Sequence, residues 1–162
     1  MSSEQHPLSN YNKSSIPDAS KFHFAVVVSQ WNSTITDALM NGCTKILQQS
    51  GTPKNHIHLY PVPGSFELST AAAWLAQQKE IDAIICLGCV IQGHTRHFDF
   101  ICQAVANGLT QVGIQSGKPV VFGVLTTNDQ TQAEERSGGR LGNKGEEAAV
   151  TAIKMLDLKK SI

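Results

Sequence analysis

The sequence predicts an α/β fold: a three-layer α/β/α sandwich with a four-stranded parallel sheet. Four short, mainly aliphatic runs are typical of strands buried on both faces, as in a parallel sheet covered by helices. Segments with apolar residues at helical spacing alternate with these runs, and that order implies right-handed strand–helix–strand crossovers. Nothing in the pattern indicates an internal repeat or a second domain.

The order of elements is predicted from the same periodicities. Strands are expected at residues 24–28, 57–60, 83–91 and 120–125. Helices are expected at residues 35–47, 68–75 and 101–112, as a short polar segment after residue 129, and at residues 146–156. In the last helix we expect Ala148, Ala152 and Met155 to face inward.

The domain boundaries follow from a change in composition. Residues 1–21 are polar and rich in Ser, Asn and Pro, which predicts a flexible N-terminal arm that could add a strand to a neighbouring subunit. The folded domain is expected at residues 22–158, with a C-terminal tail at 159–162.

Composition excludes several classes of function. The 162 residues carry 13 basic and 13 acidic side chains, so the basic excess that nucleic-acid binding requires is missing. The apolar runs are too short to span a membrane and no signal-peptide pattern occurs, so we expect a cytoplasmic protein without membrane contact.

The four cysteines are expected to be reduced and buried. Cys43, Cys86, Cys89 and Cys102 all lie in apolar patterns. Cys86 and Cys89 have C-x-x-C spacing, which leaves a thiol oxidoreductase as an alternative, but apolar residues follow where a redox pair would open a helix. No second cysteine pair lies at ligand spacing, so no metal site is expected.

A candidate site lies where the predicted strands end. In open α/β sheets ligands bind beyond the carboxyl ends of the strands, and the loops there are residues 29–34, 61–67, 92–97 and 126–129. Trp31 and Phe66 would suit a planar ligand. Turn formation alone explains any single loop of this composition. The four together, one with a His-Thr-Arg-His run, favour a site.

Two kinds of chemistry are available in that run. His97 comes just before a helical pattern and could transfer protons near neutral pH, but His94 is an equal candidate by spacing. Residues 93–95 could bind a phosphate through backbone N–H groups, with Arg136, Arg140 or Lys144 as cations. A solvated charged turn explains these three cations equally well. The residues alone therefore predict a small planar or phosphorylated ligand and histidine proton transfer.

Four motifs carry a family resemblance. They are VPGSFE at 62–67, VIQGHTRHFD at 90–99, FGVLTT at 122–127 and ERSGGRLGNKG at 135–145. With these motifs, in this order and spacing, the chain resembles the 6,7-dimethyl-8-ribityllumazine synthases from about residue 22 to 156. The resemblance implies a flavodoxin-like sheet and a condensation that needs no cofactor and no metal. In it, 5-amino-6-(D-ribitylamino)uracil and 3,4-dihydroxy-2-butanone 4-phosphate give the lumazine, phosphate and water.

The resemblance also implies residue roles. His97 matches the residue assigned to proton transfer, which His94 does not. The residues that match the ribitylaminouracil site are Trp31, Ser65, Phe66, Glu67, Cys89, Val90, Ile91, Phe122, Lys144 and Glu147. Those that match the phosphate site are Gly93, His94, Thr95 and Arg136.

The family places each site between adjacent subunits of a pentamer. By that resemblance Phe122, Arg136 and Lys144 would reach into a neighbour's site, the pentamers could form a 60-subunit shell, and riboflavin synthase is a candidate partner. Gln92, Trp31 and Ser69 depart from the family's usual basic residue, Phe and Pro. Because the larger indole could hold a flavin more tightly, a non-catalytic flavin- or pteridine-binding protein is the alternative function.

Overall fold

The computed structural model describes residues 11–12 and 15–162, and it confirms the predicted fold class. Four parallel strands form the main sheet in the order β2-β1-β3-β4, which is the flavodoxin-like order. The strands are β1 (Phe24–Ser29), β2 (Ile57–Val62), β3 (Ala83–Ile91) and β4 (Val120–Thr127). The helices are α1 (Ser33–Gln49), α2 (Leu68–Ala76), α3 (His97–Ser116), α4 (Gln130–Arg136) and α5 (Lys144–Ser161).

The sheet separates two apolar cores. Along β1 successive side chains point to opposite faces, so Phe24 and Val26 pack with α1 and α5, whereas Ala25 and Val27 pack with α2 and α3. Every residue of β1 is buried. Burial on both faces explains why the strand is aliphatic throughout rather than alternating.

The strand β3 extends further than its neighbour β1. Pairing between the two ends where Val28 lies opposite Leu87, because β1 finishes one residue later. Beyond Leu87, β3 continues to Ile91 in register with β4 alone. The last residues of β3 therefore present a strand edge to the space beyond the end of β1.

The structure differs from the expectations at both ends of the chain. Ala19, expected in the flexible arm, is fully buried, and its N–H donates to the Ser50 carbonyl at 2.8 Å. Of the arm expected at residues 1–21 to add a strand to a neighbour, residues 1–10 and 13–14 lie outside the described residues. At the other end α5 continues to Ser161, through most of the expected tail. The inward orientation expected for Met155 is wrong, since this side chain is 45% exposed.

A small hairpin before α5 was not predicted. It pairs β5 (Ser137–Gly139) with β6 (Gly142–Asn143). Gly138 and Gly142 have φ of 127° and 83°, a region that other L residues rarely adopt. In the sequence, the glycines of this segment indicated only a turn, because strands of two or three residues are too short to show an apolar periodicity.

The start of α5 is fixed tightly against α1. Asn143 caps the helix, since its Oδ1 accepts from the N–H groups of Gly145 (2.8 Å) and Glu146 (3.4 Å). Its Nδ2 donates to the carbonyl of Ala38 in α1 at 3.0 Å. A Cβ on Gly145 would overlap the Leu39 carbonyl, so only glycine permits this approach. The contact fixes where the first turn of α5 projects its side chains.

Candidate functional site

A cavity of about 780 Å³ opens at the carboxyl ends of β1, β2 and β3. Most of the residues expected at the site line it: Trp31, Ser65, Phe66, Glu67, Cys89, Val90, Ile91, Gly93, Thr95 and His97. The fourth loop expected there, residues 126–129, does not. Its strand β4 lies beyond β3 in the sheet, whereas the cavity lies on the β1 side of β3. The order of strands could not be obtained from periodicity.

Two aromatic side chains flank the cavity and are open to solvent. Trp31 is 73% exposed and Phe66 is 56% exposed. The backbone beneath Trp31 is nevertheless fixed, because its N–H donates to the Pro63 carbonyl at 3.2 Å and that of Gln30 to the Val62 carbonyl at 2.8 Å. The β1 loop is thus tied to the β2 loop. Exposed apolar rings beside a cavity are suited to stacking on a planar ligand.

The loop after β2 is shaped by Glu67 and by a missing side chain on β3. The Glu67 carboxylate accepts a 2.9 Å hydrogen bond from the Gly64 N–H, which closes the loop. Ser65 is buried, and its Oγ has no hydrogen-bond partner among the described residues. A Cβ on Gly88 would come within 2.7 Å of that Oγ, so the glycine makes room for Ser65. A buried hydroxyl without a partner is one that a ligand could satisfy.

The overhanging end of β3 forms one wall of the cavity. Peptide groups along a parallel strand alternate between its two neighbours. The Cys89 carbonyl faces the β1 side, where it accepts a 3.0 Å hydrogen bond from Asn32 Nδ2. By the same alternation the Ile91 peptide groups face that side too, and among the described residues no strand pairs with β3 there beyond Leu87. Backbone donors and acceptors are therefore available to a heterocycle with amide-like edges.

His97 is the first residue of α3, as its position before the helical pattern predicted, and its side chain lines the cavity. Its backbone N–H is 3.4 Å from Thr95 Oγ1. The neighbouring Arg96 instead faces its own helix, with Nε 3.8 Å from the Asp99 carboxylate and the guanidinium 5.8 Å from the Phe100 ring centre. His94 is exposed and does not line the cavity. Of the two candidate histidines, the fold brings His97 to the cavity.

The remaining predicted residues lie elsewhere in the chain. Phe122, Lys144 and Glu147 line a separate cavity of about 320 Å³ between β4 and α5. Arg136, at the end of α4, lines neither cavity, and its Nη1 donates to the Gln132 carbonyl at 3.0 Å. Within one chain, the expected phosphate ligand Arg136 and the expected proton donor His97 are thus not brought into one cavity.

The cysteines do not form a redox pair. Cys86 packs in the core beneath α2 and α3, whereas Cys89 packs in the core beneath α1 and α5, so the two thiols lie on opposite faces of β3. Burial raises the pKa of the Cys89 thiol to about 11 and that of Cys86 further still. Neither is a reactive thiolate near neutral pH. The oxidoreductase alternative is therefore excluded on geometry.

Two other kinds of feature are absent from the described residues. They contain no group of three or more His, Cys, Asp or Glu side chains arranged to hold a metal ion. None of their helices combines the length and apolarity that crossing a bilayer demands.

Sequence reasoning missed several residues of the cavity. Asn32, Gly64, Phe98 and Ile101 line it but were not singled out. Asn32 also has a left-handed backbone, with φ 60° and ψ 46°, and it is the only such non-glycine residue in residues 11–12 and 15–162. Asparagine tolerates this conformation better than most residues, so an Asn between a strand and a helix was an available signal.

Comparison with known proteins agrees with the motifs. A family model described as 6,7-dimethyl-8-ribityllumazine synthase matches residues 21–160. The chain belongs to this family. A 6,7-dimethyl-8-ribityllumazine synthase of Cytophaga hutchinsonii is 54% identical over 96% of this chain and 98% of its own. Proteins of the same name from Porphyromonas gingivalis and Phocaeicola vulgatus are 48% and 44% identical over almost the whole of both chains.

Proposed function

We propose that this chain is an enzyme of riboflavin biosynthesis, a transferase that condenses 5-amino-6-(D-ribitylamino)uracil with 3,4-dihydroxy-2-butanone 4-phosphate. The product would be 6,7-dimethyl-8-ribityllumazine, released with phosphate and water. Full-length similarity to proteins named as lumazine synthases supports this proposal. The observation that carries it is a single cavity lined by an exposed aromatic pair, a free strand edge and His97.

The aminouracil would bind along β3. Its ring is planar, so Trp31 would stack on it, while the peptide groups of Ile91 would pair with its amide edges. Cys89, whose carbonyl accepts from Asn32, would line the same wall. Phe66 and Ser65 would close the same space from the β2 side, and the Ser65 hydroxyl would gain a partner. Val90 belongs to this segment, and Glu67 would fix the loop at its mouth.

His97 would move the protons of the reaction. The 5-amino nitrogen attacks the ketone carbon, and water leaves to give an imine. Loss of the neighbouring C–H proton with expulsion of phosphate leaves an enol, which tautomerises to a new ketone. The ribitylamino nitrogen attacks this ketone, and loss of a second water closes the ring. Each step transfers a proton to or from oxygen, nitrogen or carbon, which an imidazole can do near neutral pH. Holding both substrates in contact contributes much of the acceleration. No step requires a metal or a redox cofactor.

The phosphate would be held by groups from two subunits. Gly93, His94 and Thr95 lie in the loop just before α3, at the helix end that favours anions. The cation would be Arg136 of an adjacent copy, with Phe122, Lys144 and Glu147 of that copy completing the ribityl side. The separation of these residues from the His97 cavity within one chain supports a shared site. A closed ring, which the family relationship suggests is a pentamer, provides such heterologous contacts.

The family relationship also supports proposals about larger assemblies and about cellular location. We infer a cytoplasmic enzyme, a 60-subunit shell of pentamers as the assembly to test, and riboflavin synthase as the partner to test. Size-exclusion chromatography with light scattering separates a monomer, a pentamer and a shell by mass.

Turnover is the decisive test. Both substrates are mixed with the protein, and lumazine is followed by absorbance and fluorescence against the uncatalysed condensation. We expect product well above that baseline, with rates lowered on the order of 10²-fold in His97→Ala and also strongly lowered in Arg136→Ala. Arg140→Ala is the matched control, since Arg140 pairs with Glu135 at 3.1 Å and lines neither cavity.

The alternative function predicts a different outcome. If the folded oligomer shows only baseline turnover and binds riboflavin tightly, the enzyme proposal is wrong. The chain is then a non-catalytic flavin-binding protein. Full activity in Arg136→Ala would instead agree with the proposed enzyme activity but contradict the proposal that Arg136 binds the phosphate.

A further inference from the structure

Asn32 lies between the end of β1 and the start of α1, next to β3, and has no part in the roles assigned above. Its backbone is left-handed, and its carbonyl accepts the N–H groups of Ile35 (2.9 Å) and Thr36 (3.1 Å), so it is the residue from which α1 begins. Its side chain reaches across to the Cys89 carbonyl at 3.0 Å. A carbonyl only accepts, so the contacting amide atom must be the nitrogen.

The hydrogen bond from Asn32 to Cys89, here called the bridge, lies where β3 has no pairing partner on its β1 side within the described part of the chain. Pairing of β1 with β3 stops at Val28 and Leu87, and the Cys89 carbonyl is the next acceptor on that edge. The Asn32 amide gives this carbonyl the hydrogen bond that a longer β1 would have given it. The ladder is therefore continued by one side chain, while the peptide groups of Ile91 remain open to the cavity.

The preceding residue depends on this arrangement. Trp31 is 73% exposed, so packing does little to fix its indole ring. Its position is set by its backbone, which is tied to β2 through the Pro63 carbonyl on one side and to β3 through Asn32 on the other. Releasing Asn32 leaves the loop attached on one side only.

From this geometry we infer that Asn32 is a positioning residue, which holds Trp31 at the fixed height over the β3 edge that a stacked pyrimidine needs. The inference rests on the proposed function for its kinetic consequence. Its structural consequence, an ordered Trp31, does not require that function. The ligand concerned is the planar, amide-edged substrate, because only that ligand would contact both the indole and the strand edge.

Two substitutions distinguish the effect of the Asn32 side-chain hydrogen bond from the effect of its left-handed backbone. Asn32→Gly keeps the left-handed conformation without strain and removes the amide. Asn32→Asp keeps the size and places a carboxylate oxygen against the Cys89 carbonyl, where two acceptors repel. Asn41→Asp is the matched control, because Asn41 is exposed further along α1 and lines none of the cavities described.

The fluorescence anisotropy of Trp31 measures how ordered its side chain is. The chain has two tryptophans, so a Trp74→Phe background leaves Trp31 as the only tryptophan, whose emission is excited selectively at wavelengths that tyrosine does not absorb. We expect lower fluorescence anisotropy in Asn32→Gly and Asn32→Asp, and unchanged anisotropy in Asn41→Asp. We also expect the KM for the aminouracil to rise about tenfold, while the KM for the butanone phosphate stays within about twofold.

The outcomes are distinct. Parental anisotropy in both Asn32 variants overturns the inference, and so does reduced anisotropy with an unchanged aminouracil KM. A lowered Tm with both KM values rising together would make the bridge merely structural, which also overturns it. Absence of turnover in the Trp74→Phe parent would overturn the proposed function and this kinetic role, whereas the anisotropy result would still decide whether Asn32 orders Trp31.

Discussion

The Nζ atom of Lys144 lies 2.5 Å from the Oε1 atom of Glu147, on the first turn of α5. Both residues line the cavity beside β4, and neither lines the cavity that holds His97. The ion pair is partly buried, so each charge has the other as its neutralising partner in the single chain. If the two cavities belong to one reaction, they are joined only between chains.

Mixed oligomers should recover activity from two inactive parents. We expect His97→Ala and Lys144→Ala each to be strongly impaired alone. Co-assembled in equal amounts, they should regain about a quarter of the parental activity, since about one interface in four then pairs an intact His97 with an intact Lys144. Assays of the two variants mixed without reassembly are the control. Activity no higher than that of the separate variants would contradict a shared site.

Gly145→Ala should destabilise the protein severely. The added Cβ would overlap the Leu39 carbonyl, so α5 would have to move away from α1, at a cost of about 2 kcal/mol or more. Gly113→Ala on α3 is the matched control, because its Cβ would meet Val120 at an ordinary 3.5 Å. Urea unfolding measures both. A Gly145→Ala midpoint equal to that of the control would contradict the close contact.

Tyr11 should make the protein lose stability in alkali. Burial, and then the charge and hydrogen bond of Glu146, raise the pKa of Tyr11 to about 12, from a usual value of about 10. The folded state thus favours the neutral phenol. Its stabilising contribution is complete below about pH 10 and is lost as the pH rises to about 12.

Tyr11→Phe tests this dependence. The free energy of unfolding of the parent, minus that of the variant, should be constant below about pH 10 and should fall between about pH 10 and 12. Subtraction removes the contribution of every other group that titrates in both proteins. A difference that stays constant through this range would show that the Tyr11 phenol has the same pKa in both states.

The buried thiols should resist alkylation. Cys43 and Cys86 are completely buried, and burial raises the pKa of each thiol far above neutrality. Iodoacetamide at about pH 8 should leave both unmodified in the folded protein and label both in urea. Peptide mass spectrometry locates the label. Rapid native labelling of Cys86 would reopen the redox alternative that the opposite faces of β3 exclude.

Much of the fold was available from the pattern of apolar residues. Strands buried on both faces are aliphatic throughout, so the first residue of all four main-sheet strands was predicted correctly and every last residue was predicted to within two positions. What periodicity lacks is the order of strands. Placing β1 between β2 and β3 is what puts the loop at 126–129 outside the cavity.

The site was predictable in part for a similar reason. Residues with unusual chemistry, such as Trp31 and His97, are visible in a sequence before their contacts are known. The free edge of β3 is not visible, because it results from β1 ending at Ser29 while β3 runs to Ile91. Asn32 matters through one hydrogen bond to a carbonyl 57 residues away in sequence, which no local pattern encodes.

The overhang of β3 also bears on how this chain can drift during evolution. Peptide groups belong to every residue, so most substitutions at Ile91 leave the same donor and acceptor facing the cavity. Proline is the exception, because it has no N–H. The proposed backbone hydrogen bonds to the ligand therefore survive most point mutations. The proposed stacking does not, because any substitution that removes the Trp31 ring abolishes it.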